Sequence, residues 1–192
     1  MVRAEGISAA NGPVADALSG ALPSISAPAP FAFRIGSDGT WFYHGSPIAR
    51  KPLVALFASY LSREADGSYW LTTALERWPV IVDDAPFTAV AVRREGEGQA
   101  QRLIFRTNLD EEVVAGPEHP LRVRPDPMGL EWNSGHPRPY IVLSDRLEAL
   151  ILRPVYYDLV AWGASEQVNG IEVFTVWSDE QRFALGRVGS EE

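Results

Sequence analysis

Residues 38–87 read DGTWFYHGSPIARKPLVALFASYLSREADGSYWLTTALERWPVIVDDAPF, and this stretch organises the predicted fold. Asp38 and Gly39 are a turn signal, because Asp tolerates and Gly favours positive φ values. Residues 31–35 alternate like a strand before this turn, and residues 40–43 are an aromatic strand after it. The pattern therefore predicts a β-hairpin over residues 31–44.

The same stretch contains the strongest helix pattern in the chain. Its apolar residues recur at i, i+3, i+4, i+7 and i+8, which places them on one helical face. These residues are Leu53, Leu56, Phe57, Tyr60 and Leu61. Pro52 suits the first turn of this helix, because an N–H at that position has no helical partner. After the helix, alternating segments predict strands at 68–72, 76–82, 87–92 and 101–107, and the last two are expected to pair as a second hairpin.

The last third of the chain predicts a second set of elements. Residues 140–143 have a strand pattern, and Ser144 then suits a helix N-cap. We predict that the helix after Ser144 presents three apolar residues to the core and ends at Pro154. The three residues are Leu147, Leu150 and Ile151, and the strands predicted beyond them are 155–162, 171–177 and 181–185.

The two halves share an order of elements in which a helix is followed by a strand with paired aromatics. We therefore predict an α+β fold of two similar, mainly antiparallel β units, each with one principal helix. Residues 1–30, rich in Ala, Ser, Pro and Gly, form a predicted N-terminal arm. The first domain is predicted over 31–124 and the second over 125–192, with the boundary at a proline-dense stretch. A ligand is expected between them, since domain interfaces are favoured ligand sites.

Composition excludes several classes of function. The chain has 192 residues, no cysteine and a net charge of −8. Disulfides and thiolate chemistry are therefore excluded, and an acidic chain does not match a general nucleic-acid binder. No apolar run reaches the length of a membrane span. We expect a cytoplasmic protein without a membrane span.

The titratable residues favour no familiar catalytic site. His44, His119 and His136 stand beside turn residues without metal-ligand spacing, so no metal site is predicted. The sequence has no phosphate-binding glycine loop and no nucleophile elbow. Glu76, Asp83 and Asp84 keep open a metal- or carboxylate-dependent hydrolase or transferase. The two aspartates are equally suited to bonding the amides of their own turn.

Basic residues at the helix start favour an anionic ligand. Arg50 and Lys51 precede the helix, where they oppose its dipole, whereas an anion bound there would be stabilised. Arg122 and Arg146 are further candidate anion partners, and Tyr69, Tyr140 and Tyr157 are candidate stacking surfaces. The alternative is structural: the arginines pair with surface carboxylates and the tyrosines pack on the strands.

Several short motifs, in order, resemble one known family. They are Asp38-Gly39-x-Trp41, Gly45-x-Pro47-Ile48-x-Arg50, Leu53-Val54-x-Leu56-Phe57, Asp66-Gly67-x-Tyr69-x-Leu71-x-Thr73, Asp84-Ala85-Pro86-Phe87, Arg138-Pro139-Tyr140 and Tyr156-Tyr157-Asp158-Leu159. Over residues 30–185 the chain resembles the bacterial domain-of-unknown-function family 1285, although Thr73-Ala74 stands where Thr-Pro is expected. The resemblance implies a duplicated two-domain fold whose second domain is superficially like a pleckstrin-homology domain. It also implies a nucleotide-based ligand at the domain interface and a role in signal transduction, with no established activity.

Together, the residues and the resemblance predict a small-ligand-binding protein without catalytic activity. The ligand is expected to be anionic and nucleotide-like, with Arg50 as its anion partner and Tyr69 or Tyr140 as its stacking surface. Asp84 and Asn108 are the expected polar selectors. No cofactor is identified, and a protein-interaction module remains an alternative to ligand binding and to hydrolysis.

Overall fold

The structure is a computed structural model that describes residues 32–124, 138–144, 146–168 and 171–187. The predicted N-terminal arm and His136 lie outside the described residues. The described part is mostly β, with two α-helices, α1 at Lys51–Ala58 and α2 at Arg153–Trp162, and one short 3₁₀ turn at Gly98–Ala100. Its strands are β1 Phe33–Ile35, β2 Trp41–Tyr43, β3 Ser46–Pro47, β4 Leu61–Arg63, β5 Tyr69–Thr72, β6 Arg77–Val82, β7 Phe87–Glu95, β8 Arg102–Thr107, β9 Glu112–Val114, β10 Leu121–Arg124, β11 Arg138–Ser144, β12 Leu147–Ile151, β13 Ala164–Val168, β14 Ile171–Ser178 and β15 Gln181–Arg187.

The chain divides into two compact, sheet-rich units. The first contains the described residues up to Arg34 together with Trp41–Ile81, and the second contains Ile35–Thr40 and the described residues from Val82 onward. This division lies well before the boundary at 124/125 that the proline-dense stretch suggested. The reason is pairing across that stretch: β10 and β11 are antiparallel neighbours in one sheet, with Leu121 opposite Ile141.

The first unit is a six-stranded sheet packed on α1. The strand order is β3-β2-β1-β6-β5-β4, so the predicted first hairpin is confirmed as the neighbouring pair β1 and β2. Phe57 of α1 contacts two aromatic rings of these strands. Its ring centroid lies 5.2 Å from that of Phe33 and 6.3 Å from that of Trp41. All three side chains are at most 1% exposed, and they form the centre of this core.

Helix α1 buries a different face from the one predicted. Val54 and Phe57 are buried, whereas Leu56 is 39% exposed. The helix ends at Ala58, and Leu61 already belongs to β4. The predicted face was wrong because its last two residues lie beyond the end of an eight-residue helix.

The second unit contains two sheets and α2. The larger sheet has the order β10-β11-β12-β7-β8-β9, and the smaller has the order β13-β14-β15. The pairings in both sheets are antiparallel except between β12 and β7, which run parallel. The predicted pairing of residues 87–92 with 101–107 is confirmed as β7 and β8.

Two predicted elements of this unit were wrong. The segment 147–151 is strand β12 rather than a helix, and residues 155–162 belong to α2 rather than to a strand. β12 lies inside the larger sheet, with Ala149 and Ile151 buried, and periodicity alone does not separate a short buried strand from a helix. Pro154 lies in the first turn of α2 instead of ending a helix. Each unit does have one principal helix, as predicted. The helix of the second unit, however, lies at Arg153–Trp162 and not at the predicted position directly after Ser144.

Polar side chains join the elements of the second unit. The Ser178 hydroxyl accepts a hydrogen bond from the Leu103 N–H at 2.9 Å and donates one to the Ala115 carbonyl at 2.7 Å. The Tyr156 hydroxyl of α2 donates to the Leu185 carbonyl of β15 at 3.1 Å. These bonds tie the small sheet both to the large sheet and to the helix.

Candidate functional site

One face of the larger sheet carries three arginines on the neighbouring strands β10 and β11. In the register of β10 and β11, Arg122 lies opposite Tyr140 and Arg124 lies opposite Arg138. Residues opposite one another, or two apart on a strand, share a face. Glu148 of β12 lies opposite Val142, which is two residues from Tyr140, and it joins the same face. The register alone therefore places three arginines, a tyrosine and a glutamate on the same face of the sheet.

Asp84, just before β7, binds two of these residues. The Tyr140 hydroxyl donates to Asp84 Oδ1 at 2.7 Å, and the Arg138 guanidinium forms an ion pair with Asp84 Oδ2. The Asp84 side chain is only 10% exposed. Both carboxylate oxygens are thus occupied by donors in a nearly dry position, where charge-assisted hydrogen bonds are strong.

Glu148 holds the other two arginines. Its Oε1 lies 3.3 Å from Arg122 Nη1, and its Oε2 forms an ion pair with Arg124. The Glu148 side chain is 5% exposed, whereas those of Arg122 and Arg124 are 58% and 41% exposed. The Arg124 guanidinium also lies over the Tyr140 ring, with its central carbon 4.6 Å from the ring centroid.

Burial and neighbouring charges raise the pKa values of Tyr140 and Arg138. Burial is the main cause that raises the pKa of Tyr140 to about 12, and the hydrogen bond to Asp84 and the charge of Asp84 add to it. The charges of Arg138 and Arg124 act in the opposite direction. Burial lowers the pKa of Arg138, but the charge of Asp84 and its hydrogen bond outweigh this, so that the pKa is raised overall. Tyr140 is therefore a neutral phenol at physiological pH.

We call this group the arginine cluster: Asp84, Arg122, Arg124, Arg138, Tyr140 and Glu148. Three guanidinium groups and two carboxylates leave one net positive charge, on a chain whose net charge is −8. The carboxylates are buried and fix the arginines in place, while the guanidinium groups remain partly exposed. Such an arrangement binds anions, because guanidinium N–H groups match carboxylate and phosphate oxygens.

Three of the eight sequence-predicted site residues meet in the arginine cluster, namely Asp84, Arg122 and Tyr140. Asn108 lies elsewhere in the second unit. Its Oδ1 accepts a hydrogen bond from the Thr88 N–H at 3.2 Å, and its Nδ2 donates to the Gly39 carbonyl at 3.3 Å. Asn108 thus attaches the 36–40 turn to β7.

The remaining predicted residues are dispersed. Arg146 sits in the turn between β11 and β12 with a positive φ of 65°, and Tyr157 is 64% exposed on α2. In the first unit, Arg50 is the exposed N-cap residue of α1 and caps it without a side-chain hydrogen bond. Tyr69 lies in β5 with the Arg63 guanidinium 5.3 Å from its ring centroid.

Sequence reasoning missed Arg124, Arg138 and Glu148. Arg124 is two residues from Arg122, so strand alternation was the available signal, and Arg138 stood within a quoted family motif. Glu148 was hidden inside a segment predicted to be a helix. A single carboxylate within the apolar run 147–151 was the sign of a buried partner for arginines.

In the described part of the chain, no three His, Asp or Glu side chains are grouped as metal ligands, and this includes the carboxylates considered for hydrolysis. Asp84 is engaged by Arg138 and Tyr140. His119 Nδ1 lies 3.0 Å from the Val142 carbonyl, a structural hydrogen bond. Within the described residues, no helix has the length and apolar character that crossing a membrane requires.

Comparison with known proteins places the chain in a family. A model described as "Domain of unknown function (DUF1285), N-terminal domain" matches residues 26–85, and one described as "Protein of unknown function (DUF1285), C-terminal domain" matches residues 86–185. Their junction lies close to the division between the compact units at Ile81 and Val82. A search of curated proteins found no match.

Two solved structures support the same assignment. A DUF1285 family protein from Silicibacter pomeroyi DSS-3 is 39% identical, with a TM-score of 0.75, over 94% of this chain and 97% of that chain. A DUF1285 family protein from Shewanella baltica OS155 is 25% identical, with a TM-score of 0.51, over 68% of this chain and 91% of that chain. The resemblance seen in the sequence motifs is thus confirmed, and the chain belongs to the DUF1285 family, with its N-terminal and C-terminal domains in tandem.

Proposed function

We propose that this protein binds a small anionic ligand at the arginine cluster and acts in signal transduction rather than in catalysis. The observation that carries the proposal is the contrast in exposure within the cluster. The anchoring carboxylates of Asp84 and Glu148 are 10% and 5% exposed, whereas the three arginines are 31–58% exposed. The guanidinium groups are therefore held in fixed positions with part of their surface open.

Fixed arginines favour binding for an energetic reason. A flexible surface arginine loses side-chain entropy when it binds a ligand, whereas an anchored one has already lost it on folding. The carboxylates also prevent the three positive charges from repelling one another strongly. Most donors remain available, because a guanidinium has five N–H groups and the ion pairs of Arg122 and Arg124 with Glu148 engage few of them.

Binding fits the cluster better than catalysis does. A general base or a metal ligand has to reach its substrate or metal, whereas the Asp84 and Glu148 side chains are 10% and 5% exposed and every carboxylate oxygen is bonded to arginine or tyrosine. The likeness of the second unit to a pleckstrin-homology fold stays part of the proposal as a statement about architecture. It carries no function by itself, because one fold hosts many functions.

The test is a thermal-shift screen of the purified protein against nucleotides, inorganic anions and small carboxylates. A ligand present at about one hundred times its Kd stabilises the folded state by about 2.7 kcal/mol. For a domain of this size, the melting temperature then rises by roughly 5–10 °C. A complete absence of stabilisation across the screen at millimolar concentrations would refute the proposal.

The matched control separates the cluster from other surface arginines. Arg122→Ala should reduce the shift caused by a ligand, while Arg102→Ala should not. Arg102 is a suitable control because it is 51% exposed in the same unit and pairs with Glu95 at 3.6 Å, outside the cluster. Equal loss of ligand response in both variants would show that only the general charge of the protein matters.

A further inference from the structure

Arg124 and Arg138 form an unusual pair within the arginine cluster. They lie directly opposite one another on the antiparallel strands β10 and β11. Like charges in this position repel and destabilise a sheet. The two carboxylates do not sit between them as a shared counterion: Glu148 binds Arg124, and Asp84 binds Arg138. Each of the two cations thus has its own carboxylate anchor, and neither anchor bridges the pair.

Both guanidinium groups lie beside Tyr140 or its hydrogen-bond partner Asp84. Arg124 lies over the Tyr140 ring, and Arg138 and the Tyr140 hydroxyl bind the same Asp84 carboxylate. The side chains of Arg124 and Arg138 are 41% and 31% exposed, so solvent reaches both.

Tyr140 itself is closed to a ligand. The residue is 1% exposed, its ring is covered by Arg124, and its hydroxyl is engaged by Asp84. The Tyr140 ring therefore has no open face on which a ligand could stack, although stacking was the role predicted for it. Recognition at this pair rests on guanidinium donors rather than on contact with a planar base.

We propose that the ligand of the arginine cluster is a small, soluble phosphate monoester whose phosphoryl group bridges Arg124 and Arg138. This inference rests on the proposed function and adds the chemical class of the ligand. A carboxylate has two oxygens in one plane and matches a single guanidinium fork. A phosphoryl group presents oxygens in several directions, which suits two guanidinium groups that approach it from the neighbouring strands β10 and β11.

Calorimetric titration of the full chain tests the class of ligand. The probes are inorganic phosphate, glycerol phosphate, adenosine monophosphate, adenosine and succinate. We expect the three phosphates to bind within about threefold of one another, succinate about tenfold more weakly, and adenosine not at all. Adenosine binding, or an adenosine monophosphate affinity that far exceeds that of glycerol phosphate, would overturn the inference.

Variants test the two residues. Arg124→Lys and Arg138→Lys each keep the positive charge that their carboxylate partner needs but remove the fork. Each should weaken glycerol phosphate binding by about tenfold. Arg102→Lys, outside the cluster, should leave it unchanged. If either cluster variant fails to fold, as judged by circular dichroism, Glu148→Gln provides the second test, since loss of the anchoring charge frees Arg124 and should weaken phosphate binding. Unchanged binding in the folded variants overturns the inference.

The outcomes separate this inference from the proposed function. Tighter binding of succinate than of phosphate would leave an anion-binding protein and overturn the phosphate assignment. Failure of every anion would remove both. Phosphatidylcholine vesicles with and without phosphatidic acid provide the last comparison, because a lipid head group has the same phosphate chemistry. Binding to the phosphatidic acid vesicles without binding to glycerol phosphate would overturn the assignment to a soluble ligand.

Discussion

The Tyr140 hydroxyl donates a hydrogen bond to Asp84 Oδ1 at 2.7 Å, and this contact joins β11 to the corner before β7. The two residues stood far apart among the sequence candidates, and the second unit brings them together. Arg138 completes the contact by pairing with the other oxygen of Asp84. Because both oxygens of this buried carboxylate are bonded, we expect its partners to contribute to the stability of the second unit.

We expect Tyr140→Phe to destabilise the protein. The substitution keeps the ring but leaves a carboxylate oxygen of Asp84 without its donor in a position of low exposure. The free energy of unfolding should fall by about 1–3 kcal/mol. Denaturant unfolding measures it, and Tyr157→Phe, at a residue that is 64% exposed, should change it by less than about 0.5 kcal/mol. Equal effects of the two substitutions would contradict the structural role of the hydroxyl.

The stabilisation by Tyr140 should also depend on pH. Its pKa in the folded protein is about 12, compared with an ordinary value of 10.0. Because folding raises this pKa, the stabilisation is fully present below pH 10 and is lost as the pH rises through the interval up to 12. Between about pH 9 and about pH 11, the difference in unfolding free energy between wild type and Tyr140→Phe should shrink by about 1.4 kcal/mol. A difference that is constant over this range would show that the phenol is not shielded.

The two arginines that pair with Glu148 should contribute unequally to the free energy of unfolding. Arg124→Ala removes an ion pair with a buried carboxylate and uncovers the Tyr140 ring, and it should cost about 1–3 kcal/mol of unfolding free energy. Arg122→Ala removes a partner at 3.3 Å whose side chain is 58% exposed, and it should cost less than about 1 kcal/mol.

A double variant tests the cause of that difference. Adding Glu148→Leu to Arg124→Ala removes the buried charge together with its partner. The double variant should recover part of the lost stability, since replacing a whole buried ion pair by apolar side chains is often neutral. Further loss in the double variant would show that Glu148 contributes through packing rather than through its charge.

Gly39 should resist substitution more strongly than Gly45. Both residues have positive φ, 81° and 80°, so alanine is strained by about 1–2 kcal/mol at either position. At Gly39 an added Cβ would also lie 2.8 Å from Asn108 Nδ2 and 3.2 Å from Thr88 Oγ1, whereas at Gly45 it meets nothing within 4 Å. Thermal unfolding should therefore show a loss of about 3 kcal/mol or more for Gly39→Ala. Similar losses at both glycines would mean that the turn moves away from Asn108.

Ser178→Ala should destabilise the second unit severely. The hydroxyl satisfies the Leu103 N–H and the Ala115 carbonyl, and Ser178 is 0% exposed. Two buried backbone groups would lose their partner, at a cost of about 2–4 kcal/mol. Ser59→Ala is the control, because its hydroxyl bonds the Leu56 carbonyl at an exposed helix end. Chemical denaturation compares the two, and a loss below about 1 kcal/mol for Ser178→Ala would imply that water replaces the hydroxyl.

Much of the strand content followed from local patterns. The turn at Asp38 and Gly39, the strands around it and the pair β7 and β8 were all predicted, because alternation and turn residues act over a few positions. The failures lie at β12 and α2, where a short apolar run and a proline each permit two interpretations. In the structure, pairing with β11 and β7 selects the strand at 147–151.

The sequence by itself determined the family, the mostly β character, the first helix, and the candidates Asp84, Arg122 and Tyr140. Only the tertiary structure decided which of those candidates meet, and that Arg124, Arg138 and Glu148 join them. The physical reason is register. Arg124 faces Arg138 only because β10 and β11 pair at that offset, and a shift by one residue would turn these side chains to the opposite face. Local propensity carries no information about this register, because the register depends on how both faces of the sheet pack.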